Sequence, residues 1–119
     1  MSHIVTVRAQ VRDPQAIRAA CTRRNLPAPT FGTAKLFVRD RTGWIVQLKD
    51  WKFPIVCDTN TGTVEFDNYE GSWGKPAELD GFLQAYSVEK AKLEVRKAGH
   101  SVSEQPLNDG SIKLCIQVA

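Results

Sequence analysis

The chain has 119 residues, 42% hydrophobic and 24% charged, with a formal net charge of +3. That length is enough for one domain, 1–119, whose core requires no disulfide or metal staple. No apolar run approaches the ~20 residues of a membrane span, and the opening Met1-Ser2-His3 lacks a signal peptide's apolar stretch, so a cytoplasmic protein without membrane attachment is expected.

The chain opens on alternation. From His3 to Val11, Val5, Val7, Ala9 and Val11 fall on one side of a predicted strand, and Ile4, Thr6, Arg8 and Gln10 on the other. Asp13-Pro14 marks a helix start, with Asp as N-cap and Pro in the first turn. Ile17, Ala20, Cys21 and the stem of Arg24 then form one helical stripe. Asn25 is suited to a left-handed end, and Pro27 and Pro29 prevent continuation.

Thr33 to Val38 reads as a second strand, Asp40-Arg41-Thr42-Gly43 as a turn, and Trp44 to Leu48 as a third strand. A hairpin follows, Pro54–Asp58 and Thr63–Asp67 around Thr59-Asn60-Thr61-Gly62, where Gly62 supplies a positive φ. Beyond the loop Asn68-Tyr69-Glu70-Gly71-Ser72-Trp73-Gly74, a long helix runs from Pro76 to Ala98 and stops at Gly99. Its two apolar stripes, Leu79/Phe82/Leu83/Tyr86 and Val88/Ala91/Val95/Ala98, are out of phase and predict a kink near Ser87. Two last strands meet at Asn108-Asp109-Gly110, and Ile112, Leu114, Ile116 and Val118 share one face of the second. This pattern predicts a load-carrying final strand, in a sheet that uses both termini. The order β-α-β-β-β-β-α-β-β gives an α+β fold, a mostly antiparallel sheet with two helices on one face.

Charge is unevenly spread. Met1–Pro54 holds ten Lys/Arg against Asp13, Asp40 and Asp50, and the remainder holds six against ten acidic residues. A basic N-terminal half carrying Arg8, Arg12, Arg23 and Arg24 could orient the protein on an acidic partner, including nucleic acid. The aromatic residues Trp51, Tyr69 and Trp73 fall at strand ends and loops and are candidate partner contacts. Trp44 reads as core.

Catalytic and metal signals are sparse. Cys21, Cys57 and Cys115 form no CxxC pair and read as reduced thiols. His3 and His100 are the two histidines, and a Cys57–His100–Asp58 site has no local motif behind it. Asp58, Glu65 and Asp67 on one hairpin could hold a cation but read as a solvated strand edge. No nucleophile elbow, phosphate loop, HExxH or dinucleotide fingerprint occurs. No catalytic residue, metal ligand or cofactor is therefore assigned.

Met1-Ser2-His3 before an alternating strand, Tyr86 in a long helix, Arg96-Lys97-Ala98-Gly99-His100-Ser101-Val102 and Asp109-Gly110-Ser111-Ile112-Lys113-Leu114 together carry a resemblance. The chain resembles the domain-of-unknown-function family typified by a conserved hypothetical reading frame of algal chloroplasts and cyanobacteria. The likeness spans nearly the whole chain and is strongest at its ends. It implies a small soluble protein without an agreed activity, cofactor or catalytic set, and an accessory role beside an AAA-type ATPase.

The expected function is a non-enzymatic interaction module, an accessory subunit or adaptor with a protein partner. A nucleic-acid-binding accessory protein and a small-molecule-binding protein or enzyme are the alternatives. A homodimer through an edge strand is a further possibility.

Overall fold

The computed structural model describes residues 4–119, so the His3 expectation lies outside the described residues. The fold is α+β, with the predicted element order: β1 Val5–Arg8, α1 Pro14–Arg23, β2 Thr30–Lys35, β3 Asp40–Val46, β4 Ile55–Asp58, β5 Thr63–Phe66, α2 Pro76–Lys97, β6 Ser101–Pro106 and β7 Ile112–Gln117. The first five strands form an antiparallel sheet in the order β1-β5-β4-β3-β2. Helix α1 carries the chain from β1 at one edge to β2 at the other.

Local chemistry explains the ends of these elements. Asp13 Oδ1 accepts from Gln15 N at 2.9 Å and Ala16 N at 3.4 Å, capping α1. Asn25 takes φ 57° just past the helix. Helix α2 closes with Gly99 at φ 85°, while Gly99 N and His100 N donate to Arg96 O and Val95 O. The β4–β5 turn needs Gly62, at φ 78°, whose added Cβ would lie 2.9 Å from Gln10 Cα.

Both helices cover one face of the five-stranded sheet. Ala16, Ile17, Ala20 and Cys21 of α1 and Leu79, Phe82, Ala85 and Tyr86 of α2 pack with Val46, Ile55, Cys57, Val64 and Phe66. The Tyr86 hydroxyl accepts from Arg12 N and Asp13 N, both at 3.0 Å, and so fixes the entry to α1. The opposite face carries a second cluster, Ala34, Leu36 and Val56 with Ile4, Ile45 and Phe53 around it.

Several sequence expectations need correction. β1 is shorter than His3–Val11, because Gln10 turns to φ 56° and Val11 N bonds Gly62 O instead. The β2–β3 hairpin turns at 36–39, where Leu36 N donates to Arg39 O at 2.9 Å, and Asp40 already belongs to β3. Gly43 is not a turn residue. It lies inside β3 against β4, where an added Cβ would meet Cys57 O at 2.6 Å. The hairpin tip packs on the outer face, where Leu36 clusters with Val56 and Phe37 approaches Phe53.

The predicted kink at Ser87 is absent. Helix α2 is continuous over 22 residues, and Ser87 Oγ donates to Leu83 O at 3.0 Å. At ~1.5 Å per residue it is about 33 Å long, far beyond the span of a four-residue strand. The stripe shifts because the two halves of one helix serve different neighbours. The first half covers the large sheet, and the second meets the β6–β7 hairpin, with Leu93 still against the main core. That hairpin is a separate two-stranded sheet, so the two ends of the chain do not share one sheet. β7 is largely exposed rather than load-carrying.

Candidate functional site: an aromatic ridge on a pinned loop

The segment after β5 is held by its own short-range bonds. Asn68 is buried; its Nδ2 donates to Gly74 O at 3.2 Å, and its carbonyl accepts from Gly71 N and Trp73 N at 3.1 and 2.8 Å. Asp67 is buried beneath it, with Oδ1 accepting Tyr69 N at 3.1 Å. Its Oδ2 finds no hydrogen-bond partner among the described residues. Tyr69, Glu70 and Gly71 follow at φ 49°, 53° and 97°, a run that two non-glycine residues enter at a steric cost.

A second loop, 47–54, braces the first. Lys52 N donates to Trp73 O at 2.8 Å. The Trp51 ring packs edge-on against Phe66 at 5.5 Å, and its Nε1 donates to Lys75 O at 3.1 Å. Gly74 lies flat on that ring, where an added Cβ would come within 2.3 Å of Trp51 Cδ2. Gln47 Nε2 donates to Leu48 O and Trp51 O at 3.0 and 2.8 Å.

On this base stands a row of rings from three loops. Tyr69 stacks on Trp73 at 4.8 Å and 30°. Phe53 and Phe37 meet Trp73 edge-on at 5.4 and 5.0 Å. Lys52 Nζ sits 4.6 Å from the Trp73 centroid and 5.7 Å from that of Phe53, close enough for cation–π attraction. Phe37 is 53% exposed and Tyr69 40%, so the row presents apolar area to solvent. Beside it opens a cleft of about 540 Å³ lined by Asp50, Lys52, Ser72, Trp73 and Lys75 among others.

The candidate residues separate. Tyr69 and Trp73 meet as stacked partners, whereas Trp51 is 5% exposed and serves as their support, so its ring is no partner surface. Phe37, Phe53 and Lys52 were not singled out from sequence. Phe37 falls inside the predicted strand Thr33–Val38, so nothing local marks it as a surface ring.

The arginines do not form one basic surface. Arg23 Nη2 bonds Glu104 Oε1 at 2.5 Å, and Nη1 lies 3.5 Å from Glu89 Oε1. Arg24 reaches Glu78 at 3.4 Å, and Arg41 spans the outer face to Glu65 at 2.5 Å. Three of the ten basic residues of Met1–Pro54, Arg23, Arg24 and Arg41, are thus paired with carboxylates of the acidic half. Arg12 donates to Gln10 Oε1 and Asn60 O. Arg8 lines a shallow outer-face cleft of about 480 Å³ with Asp58 and Glu65. Asp67 is buried and accepts from Tyr69 N instead of lining that cleft.

The cysteine and histidine of the imagined triad are also apart. Cys57 is fully buried among core side chains, and burial pushes its thiol up to about 12. Asp58 faces the opposite side of β4, and its Oδ1 accepts Asn60 N. His100 Nδ1 instead accepts Ala119 N at 3.2 Å beside the terminal hairpin. Cys21 is buried too, its thiol raised to about 11, while Cys115 is exposed. Among the described residues no helix is long and apolar enough to cross a membrane.

No family model matches this chain. Neither a curated protein nor a solved structure matches it.

Proposed function

We propose that the chain is a non-enzymatic interaction module, an accessory subunit or adaptor in the cytoplasm that docks a protein partner through the Phe37/Phe53/Tyr69/Trp73 ridge. One observation carries the reading: four aromatic side chains from three loops stand together at the surface on a loop held in a costly backbone conformation. Preorganised rings of this kind supply contact area at low entropic cost, and such residues dominate interface energetics. The family likeness at the two ends of the sequence fits an accessory role beside an ATPase. The ion pairing of Arg23 and Arg24 weighs against an arginine surface for nucleic acid.

The test is affinity purification of the tagged chain at low and high salt, with a nuclease arm, comparing wild type with Trp73→Ala and Phe37→Ser. A stoichiometric protein that survives nuclease and binds either variant at least about 30-fold more weakly supports the ridge. If capture disappears with nuclease, nucleic acid is the ligand and the adaptor reading fails. A partner bound equally by wild type and both variants removes the ridge from the interface.

A further inference from the structure

The β6–β7 hairpin has two edges, and they are built differently. β6 reads Ser-Val-Ser-Glu-Gln-Pro, and its Glu104 is tied to Arg23 of α1 and Lys92 of α2 at 2.5 and 2.6 Å. Polar residues and a proline are common protection for an edge. β7 reads Ile-Lys-Leu-Cys-Ile-Gln, with one charge and no proline. Its apolar face outruns the cover that α2 gives, since Ile116 is 53% exposed and the following Val118 73%.

The hydrogen-bond phase of the hairpin defines which groups are open. Leu107 N donates to Ser111 O at 2.9 Å, so 107–111 is a bonded pair. Antiparallel pairs alternate, and in the observed register Gln105–Lys113, Ser103–Cys115 and Ser101–Gln117 are bonded pairs as well. The backbone N–H and C=O of Ile112, Leu114 and Ile116 therefore point away from β6, toward the unpaired side.

We propose that this side pairs with β7 of a second copy, antiparallel about a two-fold axis at Cys115. In that register Leu114 faces the partner copy's Ile116, Ile112 faces Val118, and Lys113 faces Gln117. All four apolar residues of the strand find apolar neighbours, and no like charges meet. Shifting the axis to Lys113 opposes two lysines, and shifting it to Leu114 leaves Val118 without a strand partner. The axis stands perpendicular to the sheet, so pairing closes as a dimer and the two hairpins become a four-stranded sheet. Cys115 then sits in a non-bonded pair with its own copy, at a Cα separation of about 4.5 Å, within disulfide range. Cys21 and Cys57 are buried and do not compete.

The full chain should sediment as a dimer at about 100 μM and form a disulfide-linked dimer under mild oxidation. Cys115→Lys places two ammonium groups face to face at an exposed position and should raise the dimer dissociation constant by about fivefold or more. Far-UV circular dichroism confirms that the variant is folded. The control is Ser103→Cys in a Cys115→Ser background. Position 103 is exposed on the same face, but three strand spacings, about 14 Å, separate its two copies, so it should not cross-link. A monomer at that concentration overturns the proposal. So does a dimer that Cys115→Lys leaves intact, or one that cross-links as readily through position 103.

Discussion

Replacing Glu104 with glutamine removes one negative charge from the point where α1, α2 and β6 meet. Arg23 donates to this carboxylate at 3.0 and 2.5 Å, and Lys92 at 2.6 Å. Fully buried, two such charge-assisted contacts would contribute several kcal/mol. The side chains keep 28%, 14% and 23% exposure for Arg23, Lys92 and Glu104, so solvent and salt weaken the attraction. The expected loss at neutral pH is therefore about 1–2 kcal/mol. Hydrogen bonds from Arg23 and then Lys92 hold the Glu104 carboxyl at about 2, below the ordinary 4.5. Because the folded value is the lower one, the stabilisation is complete above pH 4.5 and is lost as the pH falls toward 2. Urea unfolding of wild type and Glu104→Gln at pH 7, 4 and 2 reads both effects. The gap between them should be largest at pH 7 and close in acid. A gap below about 0.3 kcal/mol at pH 7, or one unchanged at pH 2, refutes this account of how the terminal hairpin is fastened.

Tyr86→Phe deletes the hydroxyl that accepts from Arg12 N and Asp13 N, orphaning two part-buried donors. The expected cost is about 1–3 kcal/mol in urea unfolding with little change in slope, and a loss under about 0.5 kcal/mol would contradict it. Of the three thiols, Cys115 alone should react quickly with an aromatic disulfide reagent at pH 8 in the native protein. Cys21 and Cys57, raised to about 11 and about 12 by burial, should react only on unfolding. Rapid modification of two thiols in the folded chain would show one of those burials to be wrong.

The features legible in the sequence are those encoded within a few residues. Asp13-Pro14, Asn25, Gly62 and Gly99 each act on their own backbone, and each stands where that chemistry implies. The features that were not legible depend on partners distant in sequence. Gly43 reads as a turn until β4 is placed against it. Trp51 looks like Tyr69 and Trp73 in sequence. What distinguishes it is Gly74 lying on its ring, an arrangement made by two separate loops. The sequence's charge asymmetry is real, and part of it cancels in space through pairs such as Arg23–Glu104, 81 residues apart. The alternation at 112–118 showed a strand correctly and could not show which sheet received it.

Helix α2 packs in the main core through its first half and meets the hairpin through its second. The buried residues of the helix stop at Val88, and beyond them its last turns are held by Leu93 against the main core, by the Lys90–Asp13 and Arg23–Glu89 pairs to α1 and its cap, and by β6 and β7. Opening of the hairpin would break the Glu104 pairs to Arg23 and Lys92 while leaving in place the buried helix residues up to Val88. Amides late in α2 should exchange faster than those near Phe82 in the same unbroken helix, because its buried side chains end at Val88. A contact that fastened the hairpin would raise their protection without altering that of the core.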